Sequence, residues 1–181
     1  GVKTLYYEIT KINGEVDQKN LVKEKITTPP TNKVIAKGTK PIPPKKSTNI
    51  PNASNVPASG KLAWPTAGGI ITSYMGPRWG SYHNGIDIAG VSNKAIYAAD
   101  SGVVVFAGFK NNGYGNRVEI RHSNGLVTTY SHLSSIHVSA GQTVQKGQAI
   151  GTMGRTGHAT GVHLHFETYQ NGALVNPLKF Y

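Results

Sequence analysis

From Leu62 onward the chain's hydrophobic positions fall in short alternating runs separated by glycine, as in "GVVVFAGF" (102–109), "NRVEIRH" (116–122) and "LVTTYSHL" (126–133). A period of two puts successive side chains on opposite faces, so these runs predict half-buried strands. Asn-Gly pairs at 112–113, 124–125 and 171–172 separate or follow them. Primed hairpin turns favour residues that tolerate positive φ, so each pair predicts a tight reversal and the whole predicts an antiparallel meander. No stretch keeps a helical period over three turns, although "LSSIHV" (133–138) can hold a short helical turn. In "GVHLHFE" (161–167) the same alternation puts Val162, Leu164 and Phe166 on an apolar face and His163 with His165 on the other.

The first 60 residues read differently. "TLYYEITKI" (4–12) and "KVIAKGTK" (33–40) alternate like strands and are separated by a turn-forming "NGE" and a "TTPPTN" break. About 40 residues cannot bury a core alone, so this piece belongs to a larger module or leans on a neighbour. Its tail resembles the end of a G5 domain, a small β module common in surface and wall proteins. Residues 41–60 hold five of the ten prolines together with Ser, Asn and Lys, which predicts an extended linker. The predicted organisation is a partial G5-like β segment at 1–40, the linker at 41–60 and a compact domain at 61–181. The fold class is mainly β.

Composition sharpens this picture in three ways. With 22 glycines, ten prolines and 15% charged residues, the 181-residue chain fits a turn-rich β protein. The absence of cysteine excludes disulfides and thiolate metal sites, leaving histidine, carboxylate, hydroxyl and lysine groups for any chemistry. The net charge of +11 divides into +6 over residues 1–60 and +5 over residues 61–181, with no single basic stripe. Such a balance favours an anionic setting such as a wall polymer, nucleic acid or a membrane surface, and does not by itself choose between them. Nucleic acid is not an expected partner, because no RNP-like, helix-turn-helix or zinc-finger pattern is present. No apolar run approaches the roughly 18 residues of a membrane span, and residues 1–25 lack a signal-peptide core. The opening "GVKTLYYEIT" reads as a piece of a longer precursor.

The candidate chemistry gathers on few residues. In "SYHNGIDIAG" (81–90), His83, Gly85 and Asp87 share one strand face, with the glycine allowing close approach to the backbone. Residues 61–181 contain only four acidic side chains, Asp87, Asp100, Glu119 and Glu167. An imidazole and a carboxylate here, with a histidine of the "HLH" pair, make a zinc shell of nitrogen and oxygen ligands with one position open to water. Spacing alone leaves open whether His163, His165 or both bind metal. His132, in "TTYSHL", is a further candidate helper.

These motifs together resemble the zinc endopeptidases of the M23 family, also called the lysostaphin or LytM type. "HNGID" matches the HxxxD element, "YSHL" the central histidine, and "GRTGHATGVHLHFE" the glycine-rich lead into HxH, in the family's order over about 120 residues. The resemblance implies a compact antiparallel β domain, related to the duplicated hybrid β motif, with a substrate groove across its sheet. It implies one Zn2+ per chain on His83, Asp87 and His165, with His132 and His163 flanking the zinc-bound water as catalytic groups. It also implies a secreted hydrolase of peptide bonds in bacterial peptidoglycan, held on the wall with anionic wall polymers as further partners and acting as a monomer. The other class is a non-catalytic wall-binding or partner-activating module on the same fold. His122 and His137 are expected to be structural or exposed. His158, in a loop bordering the groove, is the candidate substrate contact, and Glu167 either braces a ligand or forms a separate salt bridge. The rhythm of residues 138–154 also resembles biotinyl and lipoyl carrier domains, but Lys146 lacks the neighbours of a carrier lysine.

Overall fold

The computed structural model describes residues 2–12, 15–28, 56–78 and 80–181, and contacts divide the chain into two units, Gly1–Pro41 and Ile42–Tyr181. In the first unit β1 (Val2–Ile12) and β2 (Glu15–Thr28) pair antiparallel, with register shifts at three points. The sequence pattern leads to β1 but not to β2, whose run "EVDQKNLVKEKITT" is polar nearly throughout. Every described side chain of this hairpin is exposed, including Leu5, Tyr6, Tyr7 and Ile9, so it buries no core of its own among the described residues. "KVIAKGTK" and residues 41–55 of the expected linker lie outside the described residues.

The second unit contains β3 (Ile70–Ser73), β4 (Gly76–Arg78), β5 (Ser81–His83), β6 (Ile86–Ala89), β7 (Ala95–Tyr97), β8 (Gly102–Lys110), β9 (Gly115–Arg121), β10 (Leu126–Ile136), β11 (Thr143–Val144), β12 (Ala149–Met153), β13 (Leu164–Gln170) and β14 (Ala173–Val175). Ten of these form one antiparallel sheet whose main path runs β11-β8-β9-β10-β13-β6-β3, while β4 and β5 make a separate hairpin. β10 pairs with β9 and β13 along its first half and with β12 along Leu133 to Ile136, so one long strand joins the main path to the branch that carries β12 and β7. The expected helical turn at "LSSIHV" is therefore a strand. Cross-strand pairing to β12 decides that segment, and local propensity does not. Among the described residues the one helical element is a 3₁₀ turn, Pro177–Phe180, capped by the Asn176 side chain.

Alternation along these strands sorts the chemistry. Ile86 and Ile88 on β6, Val118 and Ile120 on β9, Tyr130 on β10, and Leu164 and Phe166 on β13 are fully buried in one core. Asp87, Arg117, Glu119, Thr129, Ser131, His165 and Glu167 occupy the alternate positions of the same strands. Val162 departs from the expected pattern: the strand begins at Leu164, and Val162, in the preceding loop, is 47% exposed. All three Asn-Gly pairs lie in hairpin turns, and at Asn171–Gly172 both residues have positive φ, 50° and 83°.

Two contacts fix how β6 enters the sheet and how the domain begins. His83, Gly85 and Asp87 do not lie on one strand, because a corner at Asn84 and Gly85 separates β5 from β6. A Cβ at Gly85 would fall against the Phe166 carbonyl oxygen of β13. The last residues of the expected linker are anchored: the Ser59 and Gly60 amides donate to the buried Asp100 carboxylate at 2.8 and 3.2 Å, and the Ser59 hydroxyl does so at 3.2 Å. Lys146 reaches the same Ser59 hydroxyl at 2.9 Å.

The Gly85 contact generates a paired test. Gly85→Ala is expected to destabilise the domain by about 1–3 kcal/mol through overpacking, seen as a lower denaturant midpoint at unchanged slope. Gly161, where an added Cβ meets nothing within 4 Å, is the control, and its alanine variant should shift stability by less than about 0.5 kcal/mol.

Candidate metal centre

Asp87 on β6 and His165 on β13 stand opposite one another in register, so their side chains leave the sheet together on the polar face. His83 arrives from β5 around the Asn84–Gly85 corner. Asp87 Oδ1 lies 3.1 Å from His83 Nε2 and 2.9 Å from His165 Nδ1, and the two ring nitrogens are 3.0 Å apart. All three residues are buried.

The far sides of both rings are committed. His83 Nδ1 donates to the Tyr74 carbonyl at 2.9 Å, and His165 Nε2 donates to Glu167 Oε1 at 3.1 Å. The tautomers follow from those acceptors, and each neutral ring then turns a lone pair inward beside the Asp87 oxygen. Three electron-rich atoms facing one another need a proton or a cation between them. Burial pushes the Asp87 carboxyl up, but hydrogen bonds and charge from His165 and His83 outweigh it and hold it well below the usual carboxylate range. Burial lowers His165, and Asp87 with Glu167 more than reverses this, so it is raised. A tetrahedral zinc with ligands about 2.0–2.1 Å away separates them by about 3.3 Å, so this donor set fits that ion after a small outward relaxation.

Behind His165 lies a buried ionic row. Glu167 is fully buried and accepts five hydrogen bonds. His165 and Tyr114 donate to Oε1, the latter at 2.7 Å, while Arg117, Thr129 and Tyr169 donate to Oε2 at 2.7, 3.1 and 3.1 Å. Burial raises the Glu167 carboxyl, but His165 and Arg117 overcome this and keep it ionised. Arg117 also donates to Glu119 at 2.8 Å and Ser131 at 3.0 Å, and its guanidinium lies 4.1 Å over the Tyr114 ring. Thr129 stands opposite both Glu119 and Glu167 in the ladder, so three adjacent strands supply the row. Glu167 thus contacts His165 and forms a salt bridge at the same time. Arg117 and Tyr114 carried no motif. The alternation of "NRVEIRH" and the scarcity of carboxylates were the available signals.

His132 and His163 stand in front of the donor triangle. Their rings are 4.8 Å apart, and each Nδ1 donates to a carbonyl, His132 to Thr156 at 2.8 Å and His163 to Gly161 at 3.0 Å, leaving Nε2 of each to face the cleft. His163 Nε2 comes within 3.6 Å of Asp87 Oδ1. His132 has φ of 66°, inside a register shift of β10 against β9. A left-handed residue in mid-strand is a bulge that redirects a side chain, and backbone strain of this kind gathers at functional sites. Burial, reinforced by the nearby histidines, lowers the His132 imidazole to about 4, so it is neutral at pH 7.

The cleft over these groups has a volume of about 570 Å³. Arg78 and Ser81 form one wall, His158 and Thr160 another, and Asn112 with Tyr114 a third, which sequence reading did not foresee. His158 is exposed on the rim, with its amide donating to the Gly113 carbonyl at 2.8 Å. A smaller pocket of about 330 Å³ continues past His163, lined by Thr72, Ser73 and Val162 and sharing Arg78, Asp87 and Thr160 with the first. By contrast, His122 is bonded between the Ser101 carbonyl and Thr128 in the interior, away from the cleft.

Comparison with known proteins gives two family matches, peptidase family M23 over residues 81–177 and the G5 domain over residues 1–40. The chain is 40% identical over 140 residues to the murein hydrolase activator NlpD of Salmonella dublin, covering 76% of this chain and 36% of that protein. It is 47% identical over 97 residues to the DD-carboxypeptidase/endopeptidase Mpg of Neisseria meningitidis, covering 54% of this chain and 22% of that one. The chain thus spans only about a fifth to a third of these two relatives. The catalytic domain of the antimicrobial peptidase lysostaphin from Staphylococcus simulans superposes with a TM-score of 0.58 at 32% identity, covering 62% of this chain and 91% of that domain. With an antiparallel β domain, three ordered histidine motifs meeting in one cleft, and a family match over more than half its length, the chain belongs to peptidase family M23 and carries a G5 segment at its N-terminus.

Proposed function

We propose that residues 61–181 form a zinc endopeptidase that hydrolyses peptide bonds of bacterial peptidoglycan, with His83, Asp87 and His165 as the metal ligands. The convergence of His83 Nε2, Asp87 Oδ1 and His165 Nδ1 within 3.1 Å of one another carries this reading, because each ring is braced from behind to present a lone pair. Zinc, when bound, acidifies water and polarises a carbonyl. His132, neutral and held at Nδ1 by the Thr156 carbonyl, offers Nε2 to take the proton from attacking water. His163, held by the Gly161 carbonyl, faces the same space and stabilises charge on the carbonyl oxygen. His158 contacts substrate from the rim. The protein works as a secreted enzyme at the cell wall, its positive charge favouring anionic wall polymers, with residues 1–40 as a G5 module and 41–60 as linker. No helix among the described residues is long and apolar enough to cross a membrane.

A second reading, a non-catalytic partner-activating module, is supported by the relatives described as murein hydrolase activators. Digestion of purified peptidoglycan by zinc-loaded protein, with mass spectrometry of new peptide ends, separates the two. New ends that vanish with chelator are expected. Their absence from every wall type, at one zinc per chain, would overturn the enzymatic reading.

Three further outcomes are expected. His165→Ala should lose both zinc and cleavage, whereas His132→Ala should keep zinc and lose about 10²–10⁴-fold in turnover, measured by metal analysis and peptide release. Glu167→Gln keeps an acceptor for His165 but removes the charge opposite Arg117, so zinc affinity should fall about 10–100-fold in a chelator competition. In metal-free protein, the raised His165 contributes stability that is fully present below its ordinary value of 6.5 and lost as pH rises through its raised value. The lowered Asp87 and Glu167 contribute stability present above the ordinary carboxylate range and lost as pH falls below it. The His132 imidazole, lowered to about 4, acts in the same direction as the carboxylates, its stability present above 6.5 and lost as pH falls toward 4. Thermal melts should therefore peak near neutral pH without metal, and zinc should extend the plateau toward alkaline pH.

A further inference from the structure

Arg78 stands where both halves of the cleft meet. It lies on β4, paired with Ser81 at the start of the strand that carries His83, and it lines the pockets on both sides of His163. Its Nη1 donates to the Ser73 hydroxyl at 2.8 Å and lies 3.6 Å from Asp87 Oδ2, the oxygen turned away from the two ligand rings. The side chain is 39% exposed. Among the described residues it is the one Lys or Arg in either lining, and the remaining wall is built from uncharged polar groups, imidazoles and Asp87.

That placement has an electrostatic consequence. With a dication on Asp87 Oδ1, the single carboxylate of the cleft is already committed, and Arg78 adds a fixed positive charge beside it. Guanidinium presents a planar fork of donors that matches a carboxylate, and such charge-assisted pairs are roughly twice as strong as neutral hydrogen bonds. The fork is one ligand side chain away from the metal position. A carboxylate seated on it therefore lies within one residue's reach of a carbonyl placed over the donor triangle, since residues are spaced by about 3.3–3.6 Å.

We propose that Arg78 is a specificity-determining residue that binds a free carboxylate on the residue released by cleavage, attached to the carbon next to the scissile nitrogen. This rests on the hydrolase reading above and narrows its substrate class. Cross-link and stem peptides whose leaving residue keeps a free carboxylate satisfy Arg78. The interior of an oligoglycine bridge does not, because its nearest backbone carboxylate is several residues away.

The test uses two synthetic peptides that share one scissile amide, the leaving residue ending in a free carboxylate in one and in a carboxamide in the other. Binding is measured by calorimetry on zinc-loaded, full-length His132→Ala, and cleavage on the unmodified protein. The carboxylate peptide should bind roughly tenfold to hundredfold more tightly, and kcat/KM should show the same preference. Adding Arg78→Gln should collapse the carboxylate-over-carboxamide ratio toward one with zinc content unchanged, and Arg78→Lys should recover part of it. Equal binding of the two peptides overturns the proposal. So does Arg78→Gln losing zinc while keeping the ratio, since Arg78 would then serve Asp87 alone. If the unmodified protein cleaves neither peptide nor any peptidoglycan, the hydrolase reading fails on its own, and the binding ratio still decides what Arg78 recognises.

Discussion

A carboxylate with no exposure to water holds this domain's site together. Glu167 keeps its charge only because five donors converge on it, and one of them is the ring that faces the candidate metal position. Removing one partner from a buried ion pair leaves an uncompensated charge that costs several kcal/mol. The strands supplying Arg117, Thr129, Tyr169 and His165 are therefore bound to one arrangement. The hydrophobic face of the sheet drives folding, and the ionic face selects how its strands sit. Orientation of His165 comes from the same network, so the precision of the site and the specificity of the sheet have one source.

The front of the site uses weaker means. His83, His132 and His163 each rest on a single backbone carbonyl, from Tyr74, Thr156 and Gly161. The Thr156 and Gly161 carbonyls belong to a connection that also walls the cleft with His158 and Thr160, whereas Glu167 belongs to a strand. The ring at the back is thus fixed by the sheet, and the histidines facing the cleft are fixed by loops. A loop sequence that reshapes the cleft therefore also moves the histidines leaning on it.

Much of this was legible in the chain. Period-two alternation and the three Asn-Gly pairs reveal the meander, whereas spacing alone leaves the donor set open between His163 and His165, and only the resemblance singles out His83, Asp87 and His165. β6 and β13 stand in register at Asp87 and His165, and His83 comes around the β5–β6 corner. Three features escaped for physical reasons. β2 is polar along its length, so its pairing with β1 leaves no hydrophobic period to read. The left-handed bulge at His132 depends on how β10 passes between β9 and β12, which no local pattern encodes. Arg117 and Tyr114 look like ordinary polar-face residues until Glu167 arrives from a strand some 50 positions later in the chain.

The clasp at Asp100 bears on where this domain begins. A composition boundary at residue 60 separates the proline-rich stretch from the first core residue, Leu62, yet Ser59 and Gly60 supply three donors to a carboxylate that is itself 1% exposed. A fragment started at Lys61 would strip Asp100 Oδ2 of these donors while the Ser101 amide stays on Oδ1, and Lys146 would keep the Lys61 carbonyl but lose the Ser59 hydroxyl. The folded unit thus takes in the last residues of its proline-rich neighbour, with Ser59 and Gly60 bonded into it as firmly as a turn between two strands.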